Sequence, residues 1–241
     1  MEFLEALKRS LFFLERLVYR GLPRARKTYC IKKGYIHRRI LLHFNDTTAD
    51  DGFQDDIYRL AQETAKQKGL SRILDVGCGS ATKLLKYFGD KEFVGLEIGS
   101  TLRWLRRTYP SRDWRLSDFS HAPSESFDLV ICSDVIEHLP DPDALLRFLW
   151  GIDCEYVVIS TPDRNETVRR KSAHPDGPPR NIYHLREWTF DEFEEYIARH
   201  FTILEHHPAD NAGQVILATR RMNDGKESPD LEARVATRRA M

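Results

Sequence analysis

The stretch Arg72-Ile73-Leu74-Asp75-Val76-Gly77-Cys78-Gly79-Ser80 decides how this chain is read. A short apolar run, as a buried strand requires, breaks into a turn with glycines at 77 and 79. Glycine tolerates positive φ and lets a ligand approach bare backbone. A Gly-x-Gly alone marks many tight strand-to-helix turns, so the neighbours must sharpen it. Thr82 stands where a dinucleotide-binding turn wants a third glycine or alanine beside a pyrophosphate. Asp75, two residues before the first glycine, would repel a pyrophosphate but accept a cationic group such as an ammonium or sulfonium. An NAD-dependent oxidoreductase is disfavoured on both counts.

Outward from this turn, strands and helices alternate. Helical spacing covers Ala81 to Phe88, and strands are predicted at Glu92–Leu96, Trp114–Leu116, Phe127–Cys132 and Tyr156–Ser160. Helices are predicted around Leu102–Tyr109 and Ala144–Trp150, and from Thr189 to His200, where Thr189 or Asp191 can cap. Upstream, a helix runs from Asp51 to a stop at Lys68-Gly69. Phe201–Glu205 and Val215–Thr219, with only a turn between them, pair as a hairpin. Residues 163–183, rich in Pro, Gly, Arg and Asn, read as a long excursion. Such alternation demands parallel pairing and right-handed crossovers: an α/β, doubly wound, open sheet with helices on both faces. Ligands of such sheets bind beyond the carboxyl ends of the strands, where strand order reverses.

Acids recur at those ends. Asp75 precedes the first turn, and Glu97, at the tip of the second strand, is placed to accept both hydroxyls of a ribose, although an ordinary solvated carboxylate fits there too. Asp118 follows the third strand with Phe119 beside it. It can accept from an exocyclic amine while Phe119 or Ile98 lies against a flat base. The fourth strand runs into Ser133-Asp134-Val135-Ile136-Glu137-His138-Leu139-Pro140.

On these motifs the sequence resembles the class I S-adenosylmethionine-dependent methyltransferases. The likeness rests on the Leu-Asp-Val-Gly-Cys-Gly-Ser turn, Gly95-Leu96-Glu97, Ser117-Asp118-Phe119 and the run from Phe127 to Leu139. It covers about residues 50–220, Ser80 departing where many members carry a third glycine. The resemblance implies a mostly parallel seven-stranded Rossmann-like sheet, closed by the terminal helix and hairpin. It implies S-adenosyl-L-methionine as cofactor, with Asp75, Val76, Gly77, Cys78 and Gly79 at the methionine end. Glu97 would meet the ribose and Asp118 the adenine, with Ile98 and Phe119 also binding the cofactor, and the segment at Ser133 and Asp134 would line its sulfur side. The implied function is methyl transfer, as O- or N-methylation, to a small-molecule, glycan or lipid-precursor acceptor.

The acceptor side is read from Gly177-Pro-Pro-Arg-Asn-Ile-Tyr-His-Leu-Arg-Glu-Trp188, because loops near strand tips carry binding groups. His184 is the first candidate base, since imidazole takes a hydroxyl proton near neutral pH, and His138 the second. A histidine that merely ties down its loop is the plainer alternative. Arg180, Tyr183, Arg186 and Trp188 are the candidate acceptor contacts, the arginines suited to a carboxylate or phosphate.

Composition bounds the rest. With 41% hydrophobic residues among 241, the chain can fill a core, and 37 basic residues balance 37 acidic ones. No run of eighteen apolar residues exists to span a membrane. Cys30, Cys78, Cys132 and Cys154 are scattered, so neither a disulfide framework nor a cysteine zinc site is expected, and no metal is. Glu2, Glu5, Lys8 and Arg9 interrupt the first apolar stretch, unlike a secretory signal, and a cytoplasmic location is expected.

Three segments are expected: a basic helical cap or lid over 1–50, a methyltransferase domain over 51–221 and a polar tail over 222–241. Leu4, Leu7, Leu11, Leu14 and Val18 share one helical stripe, read as a cap on the main domain, a homodimer contact or a membrane-surface foot. Eleven Lys or Arg stand against three Glu over residues 1–44. That segment can cover the acceptor pocket, which is preferred, meet an anionic surface or bind RNA; the alternative function is therefore an RNA-binding protein or RNA methyltransferase. Aromatic interleaving there is thin, so nucleic acid is not the expected partner. A scaffold that has lost activity is disfavoured because the cofactor acids are all present.

Overall fold

Successive side chains of β1 (Arg72–Val76) turn to opposite sides of a sheet that is covered on both, which is why the run is apolar without alternation. Ile73 enters one core while Leu74 and Val76 enter the other. β4 (Phe127–Ser133) does the same, with Leu129 and Ile131 on the first side and Val130 and Cys132 on the second. The structure, a computed structural model, describes residues 53–117, 119–171, 179–181 and 183–220. The expected N-terminal cap over 1–50, its helix, and the tail over 222–241 lie outside the described residues.

The remaining strands are β2 (Glu92–Glu97), β3 (Asp113–Leu116), β5 (Cys154–Pro162), β6 (Phe201–Ala209) and β7 (Gly213–Arg220). They form one seven-stranded sheet in the order β3-β2-β1-β4-β5-β7-β6. All pairs are parallel except those of β7, which runs antiparallel to both β5 and β6. The doubly wound α/β architecture read from the sequence is the one found. Strand order reverses between β1 and β4, so the crevice above their carboxyl ends is where a ligand belongs.

Helices α1 (Asp55–Lys68), α2 (Thr82–Phe88) and α3 (Gly99–Thr108) cover the face holding Ile73 and Ile131. Helices α4 (Pro142–Gly151) and α6 (Phe190–Ile197) cover the other, around Leu145, Leu149, Phe193 and Tyr196. Their ends follow local chemistry. Gly69 ends α1 at φ +72, donating its N–H to Ala65 O. Asp141 caps α4 ahead of Pro142, and Thr189 with Glu192 forms a reciprocal capping box on α6.

One element departs from expectation. Within the excursion predicted over 163–183, residues Arg164–Lys171 form a helix, α5, directly after β5. Asp163 Oδ1 accepts from Asn165 N at 2.9 Å, and Arg164 N donates to Trp188 O at 2.7 Å. The helix is thus anchored at its start to the strand-like bridge between Asp163 and Trp188. Among the described residues no helix is long and apolar enough to cross a membrane.

Candidate active site

The turn after β1 is tied to the neighbouring strand. Gly77 N and Cys78 N both donate to Leu96 O, at 2.9 and 3.2 Å. Gly77 has φ +76, and a Cβ there would lie 2.5 Å from Val135 Cγ2, so the turn and the segment after β4 touch at this point. Glu97, at the tip of β2, accepts from Gly79 N at 3.0 Å and from Ile98 N at 2.7 Å. A half-buried carboxylate is thereby fixed beside the glycine turn. Asp75 is fully buried beneath it and accepts from Tyr58 OH of α1 at 2.7 Å. Its charge therefore reaches the turn from below rather than through an open carboxylate. Val76 and Cys78 are buried as well.

Two large apolar side chains stand exposed at the tips of β2 and β3: Ile98 at 44% and Leu116 at 66%. Standing beside the Glu97 carboxylate, these two side chains have the chemistry that suits a nucleoside with a flat base and a diol. Leu116 was not among the residues picked from sequence. Phe119, at φ +64, packs edge-on against Phe148 with centroids 5.4 Å apart. Asp118 lies outside the described residues.

Beyond β4, Ser133 Oγ is 3.0 Å from Ser160 Oγ, and Ser160 Oγ donates to Asp134 Oδ1 at 2.8 Å. Gln54 Nε2 donates to Asp134 Oδ2 at 3.1 Å, bringing the start of α1 over this corner. Asp134 holds φ +53, a left-handed conformation that a non-glycine residue adopts at a cost.

A short 3₁₀ turn, Ile136–His138, then brings three groups together. Glu137 is fully buried; its Oε2 accepts from Thr161 Oγ1 at 3.1 Å, while its Oε1 is buried without a hydrogen-bond partner. Burial, and then the nearby Asp134 charge, push its carboxyl well above the ordinary range. His138 Nδ1 donates to Tyr183 O at 2.9 Å. Burial and the neighbouring His184 lower His138 to about 4, so its ring is neutral at physiological pH. His184 Nδ1 bonds Glu187 Oε1 at 2.8 Å, and its Nε2 accepts from the Asn181 amide at 2.8 Å. The two rings meet edge to face, 4.9 Å between centroids.

Glu187 is itself buried. It accepts from Arg164 Nη1 at 3.0 Å and from Thr167 Oγ1 at 2.8 Å, both on α5. Burial pushes its carboxyl up, but the hydrogen bond and charge of His184 and the charge of Arg164 prevail and hold it at about 2. A permanent carboxylate therefore fixes the His184 tautomer with Nδ1 protonated.

The acceptor contacts expected from sequence divide. Arg180 is exposed, and Tyr183 is half-buried with its carbonyl on His138. Trp188 is corrected: it is fully buried, stacked on Tyr196 at 5.6 Å in the core between sheet and α6, and offers no surface to an acceptor. Arg186 is buried, with Nη2 donating to Pro140 O at 3.1 Å. Glu137 was quoted in a motif but not picked as a site residue. Glu187, Tyr58 and Gln54 were also missed, since their partners lie far along the chain except for His184, three residues from Glu187.

Comparison with known proteins identifies the family and supports the fold. The profile of a family described as "Methyltransferase domain" matches residues 44–205. A curated relative, the ubiquinone biosynthesis O-methyltransferase of Hahella chejuensis, is 32% identical over 85 residues, covering 31% of this chain and 35% of that protein. The chain thus spans about a third of the length of that relative. Among solved structures, the fold is similar to the PH0226 protein from Pyrococcus horikoshii OT3, at 19% identity and TM-score 0.56, covering 82% of this chain and 100% of that one. It is also similar to magnesium protoporphyrin IX methyltransferase from Synechocystis PCC 6803 with bound SAH, at 13% identity and TM-score 0.54, covering 70% and 84%. The family match takes in well over half of the sequence and every strand through most of β6, and the chain belongs to the methyltransferase-domain family, in the S-adenosylmethionine-dependent class.

Proposed function

We propose that the protein methylates a hydroxyl oxygen of a small-molecule acceptor, the class that includes phenols and the hydroxyls of glycan or lipid precursors. The observation that carries this reading is the cluster of Glu137, His138 and His184, whose first two members follow Val135, the residue that abuts the glycine turn. S-adenosylmethionine, when bound, supplies an electrophilic methyl on a sulfonium. An amine with a lone pair can attack it unaided, whereas a hydroxyl is a poor nucleophile until its proton is drawn away. Two imidazoles, with their Nδ1 atoms engaged elsewhere, are a device for drawing that proton. His184, the candidate base, is held for this by Glu187.

The chain's other contributions are positional. Backbone at Gly77 to Gly79 receives the amino-acid end, Glu97 the ribose, and Ile98 with Leu116 the base. The "O-methyltransferase" in the name of the curated relative favours oxygen over nitrogen. The basic segment over 1–44 lies outside the described residues, and among the described residues no observation favours an RNA acceptor.

Binding of labelled S-adenosylmethionine to the full chain tests the cofactor half. Glu97→Ala should weaken it at least tenfold, and unchanged binding refutes the site. Methyl transfer to a panel of phenols and sugars, followed by mass analysis, tests the acceptor half. Label found only on nitrogen refutes the oxygen reading.

A further inference from the structure

We propose that Glu137, His138 and His184 form a binding site for one divalent transition-metal ion of the zinc or manganese class. The geometry is what a proton relay lacks. Glu137 Oε1 stands 3.9 Å from His138 Nε2 and 4.0 Å from His184 Nε2. Both distances exceed a hydrogen bond, so the three groups do not satisfy one another. Yet their ligand atoms all lie within 4.8 Å of one another. A point equidistant from three atoms so spaced is about 2.5 Å from each, and contraction by less than half an ångström reaches the roughly 2.0–2.2 Å of Zn–N and Zn–O bonds.

Three further features point the same way. Glu137 Oε1 is a buried carboxylate oxygen with no hydrogen-bond partner, a costly arrangement that a cation would relieve. Each imidazole donates through Nδ1, to the Tyr183 carbonyl and to the Glu187 carboxylate, which leaves Nε2 as the basic atom on the cluster side. Histidines that ligate metals are oriented in this manner, and a carboxylate on the far nitrogen raises ligand basicity. Glu187 is in turn fixed by Arg164 and Thr167, so the His184 ring is held before any ion arrives. The hydrogen bond from the exposed Asn181 amide to His184 Nε2 is the contact an ion would replace.

Two imidazoles with one carboxylate disfavour magnesium and calcium, which prefer all-oxygen sets, and favour zinc or manganese. Three protein ligands leave at least one position open, as in catalytic rather than structural sites. The role of that open position rests on the reading above. The acceptor oxygen would bind there and lose its proton to solvent, its pKa lowered by the ion. The resulting anion would attack the sulfonium methyl; the C–S bond breaks as the C–O bond forms, leaving a neutral thioether. The imidazoles then serve as ligands, and the ion replaces them in activating the hydroxyl. Cysteine spacing carries no sign of this site, because its ligands are histidine and glutamate on segments 46 residues apart.

The test uses the full chain, stripped with a chelator and titrated separately with Zn²⁺ and Mn²⁺, with bound metal measured by elemental analysis. One equivalent should bind, and Glu137→Gln and His184→Asn should each weaken it at least tenfold. Circular dichroism reports folding; if one variant fails to fold, His138→Gln takes its place. Labelled S-adenosylmethionine binding is measured on the same samples and should be unchanged. No bound metal in the wild type, or equal affinity in the folded variants, overturns the site. Metal binding without cofactor binding would refute the methyl-transfer reading while leaving the site intact.

Discussion

Replacing Gly77 by alanine should damage both the fold and the cofactor site, through two separable causes. The first is conformational. At φ +76 an alanine pays the left-handed penalty of about 1–2 kcal/mol. The second is steric. The new Cβ would lie 2.5 Å from Val135 Cγ2, closer than side-chain carbons approach, and the strain of such overpacking is typically about 1–3 kcal/mol. Together they amount to roughly 2–5 kcal/mol, a large part of the 5–15 kcal/mol that holds an ordinary domain folded. Urea unfolding of Gly77→Ala gives the sum. Because Val135 opens the segment carrying Glu137 and His138, calorimetric titration with S-adenosylhomocysteine should show weakened binding as well. The double variant Gly77→Ala/Val135→Ala separates the causes: cutting Val135 back removes the collision but not the φ penalty. A double-mutant cycle should return a favourable coupling of about 1 kcal/mol or more. A single variant that loses less than about 0.5 kcal/mol, or a cycle with no coupling, would refute the packing described for this turn.

Glu187→Gln should destabilise the protein by about 3–5 kcal/mol, since it strips the counter-charge from buried Arg164; a change in the urea midpoint worth less than 1 kcal/mol would deny that the pair matters. Trp188→Ala should cost about 3–5 kcal/mol, the penalty of emptying a fully buried indole site, whereas a substrate contact would alter KM and leave the melting temperature in place. Asp128 accepts from Ser71 N and Arg72 N, and the Ser71 hydrogen bond above all holds its carboxyl below the ordinary range. Its folded pKa being depressed, the stabilisation is complete above the unfolded value of about 3.9 and is lost as pH falls through the folded one. Thermal melts below about pH 4 should therefore fall more steeply for the wild type than for Asp128→Asn, and parallel curves would count against the linkage.

The sheet was legible because its central strands are buried on both faces and punctuated by glycine, proline and acids at their tips. The run from Phe127 to Cys132 has no other good home than a central strand. Helix α5 was not legible. Its sequence, RNETVRRK, has no apolar stripe, and what it buries is Arg164 and Thr167 against Glu187, a polar contact that leaves no periodic trace. Trp188 misled for the opposite reason. In a stretch full of His, Arg and Pro it looks like a binding group, but its packing against Tyr196 and Phe193 shows that it belongs to the core. The glycine turn and Glu97 were found because their partners are short-range in the fold's own logic. The grouping of Glu137 and His138 with His184 depends on a hydrogen bond between Leu185 N and Glu137 O, and one from His138 to Tyr183 O. Nothing in residue order announces either.

Strand β7 lies between β5 and β6, though it is the last of the described strands to be synthesised. Until Gly213–Arg220 emerges from the ribosome, β5 has one row of backbone amides and carbonyls without its mate, beside the greasy Val157–Ile159 segment. A nascent chain halted near residue 200 would expose an adhesive border. Completion of the sheet is thus a late, all-or-nothing event, and premature stop codons before 213 should yield insoluble product rather than a smaller working enzyme.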